Sequence, residues 1–289
     1  MPAEAVDFEA DILAIAAHRD DVEQTCGGTL LKMAERGYRT GILDLTQGEM
    51  GTRGTAEDRA REASDAARIL KVSWRQALDI PDGRVENTWE NRLKVVQVLR
   101  ELRPRVLILP YWEGRHPDHY TASGLGYEAA FLSGLAKLDP NQQLRGENEP
   151  LKGELPALKG EHQALKGRGF SRADDVPDKL EASAPERLAP HRPFKIIYAS
   201  LYRDVRPTFV VDITDQFEPR LASLMAYKSQ FTDQQAGSGI FPAQAEIRAR
   251  IESMARFYGM LGGVTYAEPF VQKEVGLIDD VMAIPVKSI

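Results

Sequence analysis

Cysteine is all but missing from this chain: Cys26 is the only one among 289 residues. That excludes an internal disulfide and suits a reducing compartment, so a cytoplasmic location is expected. Histidine is scarce as well, with five residues at positions 18, 116, 119, 162 and 191. No apolar run approaches the roughly 18 residues that a membrane-spanning helix needs. The first residues, Met1 to Asp7, are acidic and carry no basic leader, which argues against a signal peptide. No block of Lys/Arg occurs, and 43 acidic residues outnumber 37 basic ones for a net charge of -6. Nucleic acid and membrane surfaces are therefore not expected as partners. What remains is an ordinary globular composition, 43% hydrophobic and 28% charged. It is read as one domain over 1–289 with a sizeable core.

Taken in order, the chain alternates short apolar runs with amphipathic stretches. Ile12 to Ala17 is a buried strand (about 11–18), followed by a helix near 25–36 that Gly37 stops. A second strand at 40–46 leads into a glycine-rich loop, Gly48-Glu49-Met50-Gly51-Thr52-Arg53-Gly54-Thr55. A helix at about 57–70, a strand at 75–80 and a Pro81-Asp82-Gly83 turn follow. Next come a helix at 88–102, a strand at 105–110 and a helix at about 119–137.

From about 139 to 192 the chain turns polar, with a seven-residue Leu-Lys-Gly quasi-repeat at 151, 158 and 165. Three copies are too few for a solenoid, so this is read as a solvated insertion. Strands return at 194–199 and 208–213, then a helix from Asp215 to about Tyr227 and another near 242–258. The stretch 267–272 reads as a last edge strand, because it contains Pro269. The pattern predicts an α/β, Rossmann-like three-layer fold with a mainly parallel sheet. Right-handed crossovers would then set the turns at 18–23, 47–55 and 115–119 on one rim.

Three of the five histidines fall in two motifs at such strand ends, His18-Arg19-Asp20-Asp21 and His116-Pro117-Asp118-His119. A hydrolytic metal site takes three His/Asp/Glu/Cys ligands and leaves one position for water. His18 and Asp21, three residues apart on a turn entering a helix, project to one side, and His119 completes a His-Asp-His set. Asp20 then faces the water as a general base. Of His116 and His119, one can bind metal while the other, held by a carboxylate, donates to an oxyanion.

Ala17-His18-Arg19-Asp20-Asp21-Val22-Glu23, with Gly27-Gly28-Thr29, resembles the Ala-His-Pro-Asp-Asp-x-Glu signature of the LmbE-like (PIG-L) N-acetylglucosaminide deacetylases. His116-Pro117-Asp118-His119 matches that family's second motif, and the similarity extends through 43–55 and Tyr227-Lys228-Ser229-Gln230-Phe231. These stretches look like the branch that deacetylates N-acetylglucosaminyl malate in bacillithiol biosynthesis. The alternative is another conjugate, such as the mycothiol precursor. The resemblance implies zinc or another divalent metal on His18, Asp21 and His119, with Asp20 as general base. It also implies His116 as the polarising partner, supported by Asp118. Arg53 is implied to contact a substrate carboxylate or sugar hydroxyl. Glu49 of the same loop and Tyr202, with Arg203 and Arg206, are further candidates for lining the pocket of this small-molecule sugar conjugate. A homo-oligomer, trimer or hexamer, is implied too.

The chain departs from the family where Arg19 replaces the signature proline. Arg19 is expected to loosen the turn and to bring a cation within reach of Asp20 or Asp21. Two rivals fare worse. A dinucleotide-binding protein would need Gly-x-Gly-x-x-Gly after the first strand, where this chain has His-Arg-Asp-Asp. A non-catalytic relative would need a broken ligand set. Cys26 is read as small buried packing, and Trp112 lies close enough to the second motif to wall a sugar pocket.

Overall fold

A computed structural model describes residues 9–144, 188–200, 204–231 and 243–284. The strands β1 (Ile12–Ala16), β2 (Thr40–Asp44), β3 (Trp74–Ala77), β4 (Val106–Pro110), β5 (Lys195–Ala199), β6 (Phe209–Asp212) and β7 (Ala267–Val271) form one sheet. Their order is β3-β2-β1-β4-β5-β7-β6. β1 to β5 run parallel, whereas β7 is antiparallel to both of its neighbours. The helices are α1 (Asp21–Thr25), α2 (Gly27–Glu35), α3 (Ala56–Ile69), α4 (Trp89–Leu102), α5 (Pro117–Leu132), α6 (Pro140–Leu144), α7 (Phe217–Met225) and α8 (Gln244–Gly262).

The central strands are apolar on both faces because both faces are covered. Leu13, Ile15, Leu107 and Leu109 join Leu93, Val96 and Leu125 of α4 and α5 in one core. Ile12, Ala14, Ala16 and Ile108 turn the other way onto Val22 and Leu30 of α1 and α2. This is the three-layer α/β arrangement read from the sequence.

Several features differ from the sequence reading: the strand expected at 75–80 is β3, which ends at Ala77. The helix expected near 25–36 is α2, and a short helix the sequence reading lacks, α1, precedes it and ends at Cys26, whose φ of -143° is not helical. A remote carboxylate starts α2: Glu268 of β7 accepts from Gly28 N at 2.9 Å and Thr29 N at 2.7 Å. It thereby satisfies amides that a helix start leaves open.

The helix expected to run to 137 ends at Leu132. Buried Arg100 gathers the chain beyond it by donating to the carbonyls of Ser133, Leu135 and Leu138. β7 is internal rather than an edge strand, with β6 outside it. The carbonyls of Tyr266 and Phe270 accept from Ile213 and Thr208 on the β6 side, so alternation turns the nitrogen of Pro269 toward β5. There the β5–β7 ladder has already stopped at Ala199↔Phe270, so no bond is lost. Of the polar stretch 139–192, α6 and residues 188–192 are described; the Leu-Lys-Gly repeat and His162 lie outside the described residues.

Candidate metal centre and active site

Strand order reverses between β1, which continues to β2, and β4, which continues to β5. Such a switch point opens a crevice at the carboxyl ends of the strands. Four loops meet there: 18–21 after β1, 47–55 after β2, 81–85 after β3 and 116–119 after β4.

The His18 turn folds on itself, with Asp21 Oδ2 accepting from His18 N at 2.9 Å. His18 Nδ1 then lies 3.5 Å from Asp21 Oδ2 and 3.2 Å from His119 Nε2. His119 Nε2 lies 3.2 Å from Asp21 Oδ1. Pro117 opens α5 with His116 as N-cap, and His119 is the third residue of the helix. Two ring nitrogens thus face each other across a carboxylate, all three side chains largely buried. This donor set fits a divalent metal with an open position.

His18 Nε2, on the far side of the ring, meets Asp118 Oδ2 at 3.2 Å and Asp82 Oδ1 at 3.1 Å. Asp118 is anchored in turn by Gly83 N at 2.8 Å and Val85 N at 3.2 Å. Carboxylates behind a ligating histidine fix its tautomer and aim. This corrects the expected pairing: the Asp118 carboxylate supports His18, and only its backbone N–H reaches His116, at Nδ1, 3.2 Å away. His18, His116 and Asp118 also converge, but the Asp118 oxygens there are already occupied. His116 itself is exposed at the mouth of the crevice.

Arg19 does not approach the carboxylates beside it. Its guanidinium donates to Ala56 O at 2.7 Å, and its carbonyl accepts from Arg75 and Tyr227. The cation at Asp20 is instead Arg59 of α3, 2.9 Å from Oδ1, while Gln24 reaches Oδ2 at 3.3 Å. Two glycines of the glycine-rich loop pack against this arginine. A Cβ on Gly48, at φ +74°, would lie 2.9 Å from the Arg59 guanidinium, and one on Gly51 would lie 3.1 Å away. Below the turn, Arg75 joins buried Glu23 at 2.7 Å and Asp44 at 2.9 Å. Tyr227 donates to Glu23 at 3.2 Å, so the Tyr227–Phe231 stretch braces the first motif from behind.

The substrate-binding candidates fare unevenly. Arg53 is largely buried and donates to Gln230 O at 3.3 Å, while Gln230 returns a bond to Arg53 O at 2.8 Å. Glu49 is exposed on the rim and accepts from Asp82 N at 2.7 Å. Tyr202 and Arg203 lie outside the described residues, and Arg206 is exposed. Trp112 packs on Tyr111 and Tyr198 under Lys273.

The electrostatics follow the geometry. Burial opposes charge on His18, but the Asp21 and Asp82 carboxylates prevail and raise its pKa to about 11 without metal. Burial likewise opposes charge on His119, which Asp21 raises above its ordinary value. Asp21 is pushed up by burial yet held well below the usual carboxylate range by His119 and His18. His116 is lowered by burial and then by the charge of the other two rings.

Fold and site together define an α/β protein with a His-Asp-His cluster able to hold a metal ion at the sheet's switch point. The GlcNAc-PI de-N-acetylase (PIG-L) family profile matches residues 13–130, which contain both motifs. The chain belongs to this PIG-L, or LmbE-like, family. It is 29% identical over 268 residues to a diacetylchitobiose deacetylase of Thermococcus kodakarensis, covering 89% of this chain and 80% of that one. A 1D-myo-inositol 2-acetamido-2-deoxy-alpha-D-glucopyranoside deacetylase of Catenulispora acidiphila is 25% identical, covering 86% and 87%. Among solved structures, the conserved protein TT1542 of Thermus thermophilus superposes with a TM-score of 0.69 at 34% identity, covering 93% and 98%.

Proposed function

We propose that this chain hydrolyses the N-acetyl group of an N-acetylglucosamine conjugate, giving acetate and the free amine. The convergence of His18, Asp21 and His119 at the switch point, with Asp20 next to them in the chain, carries this reading. A divalent metal held by these three, zinc in our reading, supplies Lewis acidity and makes water acidic enough to ionise near neutral pH. Asp20, oriented by Arg59, takes the proton of the attacking water. His116, exposed at the mouth, stabilises the developing oxyanion, a contribution of about 3 kcal/mol per donor. Asp20 or His116 then returns the proton to the leaving nitrogen.

Within that class we propose N-acetylglucosaminyl malate as the substrate, supported by the likeness of the 43–55 and 227–231 stretches to the branch that takes it; an inositol conjugate is the alternative. Self-association into a homo-oligomer is part of the same proposal. It is supported by a tail whose Val275, Leu277 and Met282 are 97%, 93% and 86% exposed. A cytoplasmic location is supported by the single buried thiol. The test is amine release from N-acetylglucosaminyl malate, the N-acetylglucosaminyl inositol and diacetylchitobiose, with chelator and after metal is restored. Release that chelator stops and metal recovers is the expected result. No release from any of the three by metal-loaded protein would overturn the assignment.

A further inference from the structure

β1 and β4 part before β1 ends. β1 stays paired with β2 through Ala16↔Asp44, but with β4 only through Ala14↔Ile108. A wedge opens where the strands separate, walled by Ala14, Ala16, Val22, Cys26, Ile108 and Ala199, with Asp21 and His119 on the same cavity. These six walls are buried and apolar, three of them alanines. The space left inside is about 20 Å³, room for the centre of about one water-sized or methyl-sized group. Cys26 is the one polarisable wall. Burial pushes its thiol pKa up, so it serves as a small neutral hydrophobe rather than a nucleophile.

Beside Asp21 and His119 the cavity, although also lined by Thr25, Tyr111 and Glu113, presents six buried apolar walls with nothing to offer a proton or a sugar hydroxyl. It suits the one apolar end of an N-acyl group. We propose that this wedge is the acyl pocket and that its walls restrict the enzyme to acetyl. The inference rests on the deacetylase reading and adds to it which acyl chains are refused and by which residues. Ala14, Ala16 and Ala199 leave the space for a methyl, and Val22, Cys26 and Ile108 close it to anything longer. A longer acyl chain would have to displace close-packed walls, which interiors resist.

The test compares the N-acetyl, N-propanoyl and N-butanoyl forms of whichever glucosamine conjugate the metal-loaded protein turns over fastest. In the wild type, kcat/KM falls at least about 10-fold for each added methylene, the lower end of what one methylene commonly decides. Cys26→Ala raises the propanoyl-to-acetyl ratio about 10-fold, and Val22→Ala gives an independent widening should the first variant fold poorly. A readout free of turnover accompanies it: by calorimetry, acetate binds the metal-loaded wild type more tightly than butanoate, and the order narrows in Cys26→Ala. Rates within threefold across the acyl series, or an unchanged ratio in a folded variant, would overturn the pocket and leave deacetylation standing. Failure to cleave even the acetyl form would instead sink the deacetylase reading, and the acyl pocket with it.

Discussion

Arg59 of α3 reaches across to the first motif and holds Asp20, Nη2 to Oδ1 at 2.9 Å, with side chains only 6% and 14% exposed. An arginine on one helix thereby sets the direction in which a carboxylate on another loop points. Replacing it with Ala frees Asp20 to rotate, and kcat is expected to fall about 10–100-fold, the usual penalty for losing an outer partner. KM and metal content should change little, and Arg59→Lys should recover part of the rate. Equal loss in the Lys variant and in metal content would mean that Arg59 merely holds the fold.

Asp20 and His119 should fail in different ways. Asp20→Asn keeps the shape and the metal but removes the charge and the base, and loses about 10²–10⁴ in turnover. His119→Ala loses the metal itself. Elemental analysis beside a rate assay separates the two, and full activity in Asp20→Asn would remove it as the base.

Asp118 offers a third kind of loss. Its carboxylate accepts from His18 Nε2 and from two backbone amides of the 83–85 turn. Asp118→Asn is expected to weaken metal affinity about 10–100-fold while leaving all three ligands in place. Competition with a chromogenic chelator reads this directly. An affinity equal to the wild type would show that His18 needs no such support.

pH should act on the metal-free protein in one direction. The His18 pKa is raised to about 11, and an unfolded histidine titrates near 6.5. The native state therefore binds more protons across that window, and stability falls as pH rises. Melting temperatures of chelated protein should drop steadily from pH 7 to 10. Metal loading at pH 7 should release protons, seen as calorimetric enthalpies that vary with buffer. A flat melting profile in the metal-free protein would contradict the charged His18.

Glu268 should matter far from any chemistry. It accepts from two helix amides and pairs with Arg220 at 3.1 Å, almost fully buried. Glu268→Ala strands that arginine, and a loss of about 3–5 kcal/mol in urea unfolding is expected. A loss below about 1 kcal/mol would show that water replaces the carboxylate.

The central strands were legible because both-face burial leaves uninterrupted apolar runs, as in Arg105-Val106-Leu107-Ile108-Leu109-Pro110. The histidine motifs were legible because histidine is rare here and falls at strand ends. Asp82 was hidden by its neighbours: Pro-Asp-Gly reads as a turn, and it is one, but the turn also aims the aspartate at His18. Arg59 carries a signal in the sequence. It shares the buried face of α3 with Ala63 and Ala66 at helical spacing, and a cation on an apolar stripe needs a partner. Arg100 is the same case on α4, beside Val96 and Leu99. Pro269 reads as an edge-strand residue, but the rule for proline concerns the missing N–H, and which neighbour that N–H would face depends on register. Arg19 is adjacent to the aspartates in the chain but not in space, because its guanidinium turns to Ala56 O.

Glu268 also sets a timetable. The carboxylate that begins α2 is 240 residues downstream of Gly28, so during synthesis the helix following the His18 turn lacks this partner until nearly the whole chain is made. A nascent chain halted after α5 would contain both histidine motifs yet lack the group that starts this helix. Long-range closure of this kind slows folding. Metal capture should accordingly appear late in refolding, in step with the docking of β7 and not with the formation of β1.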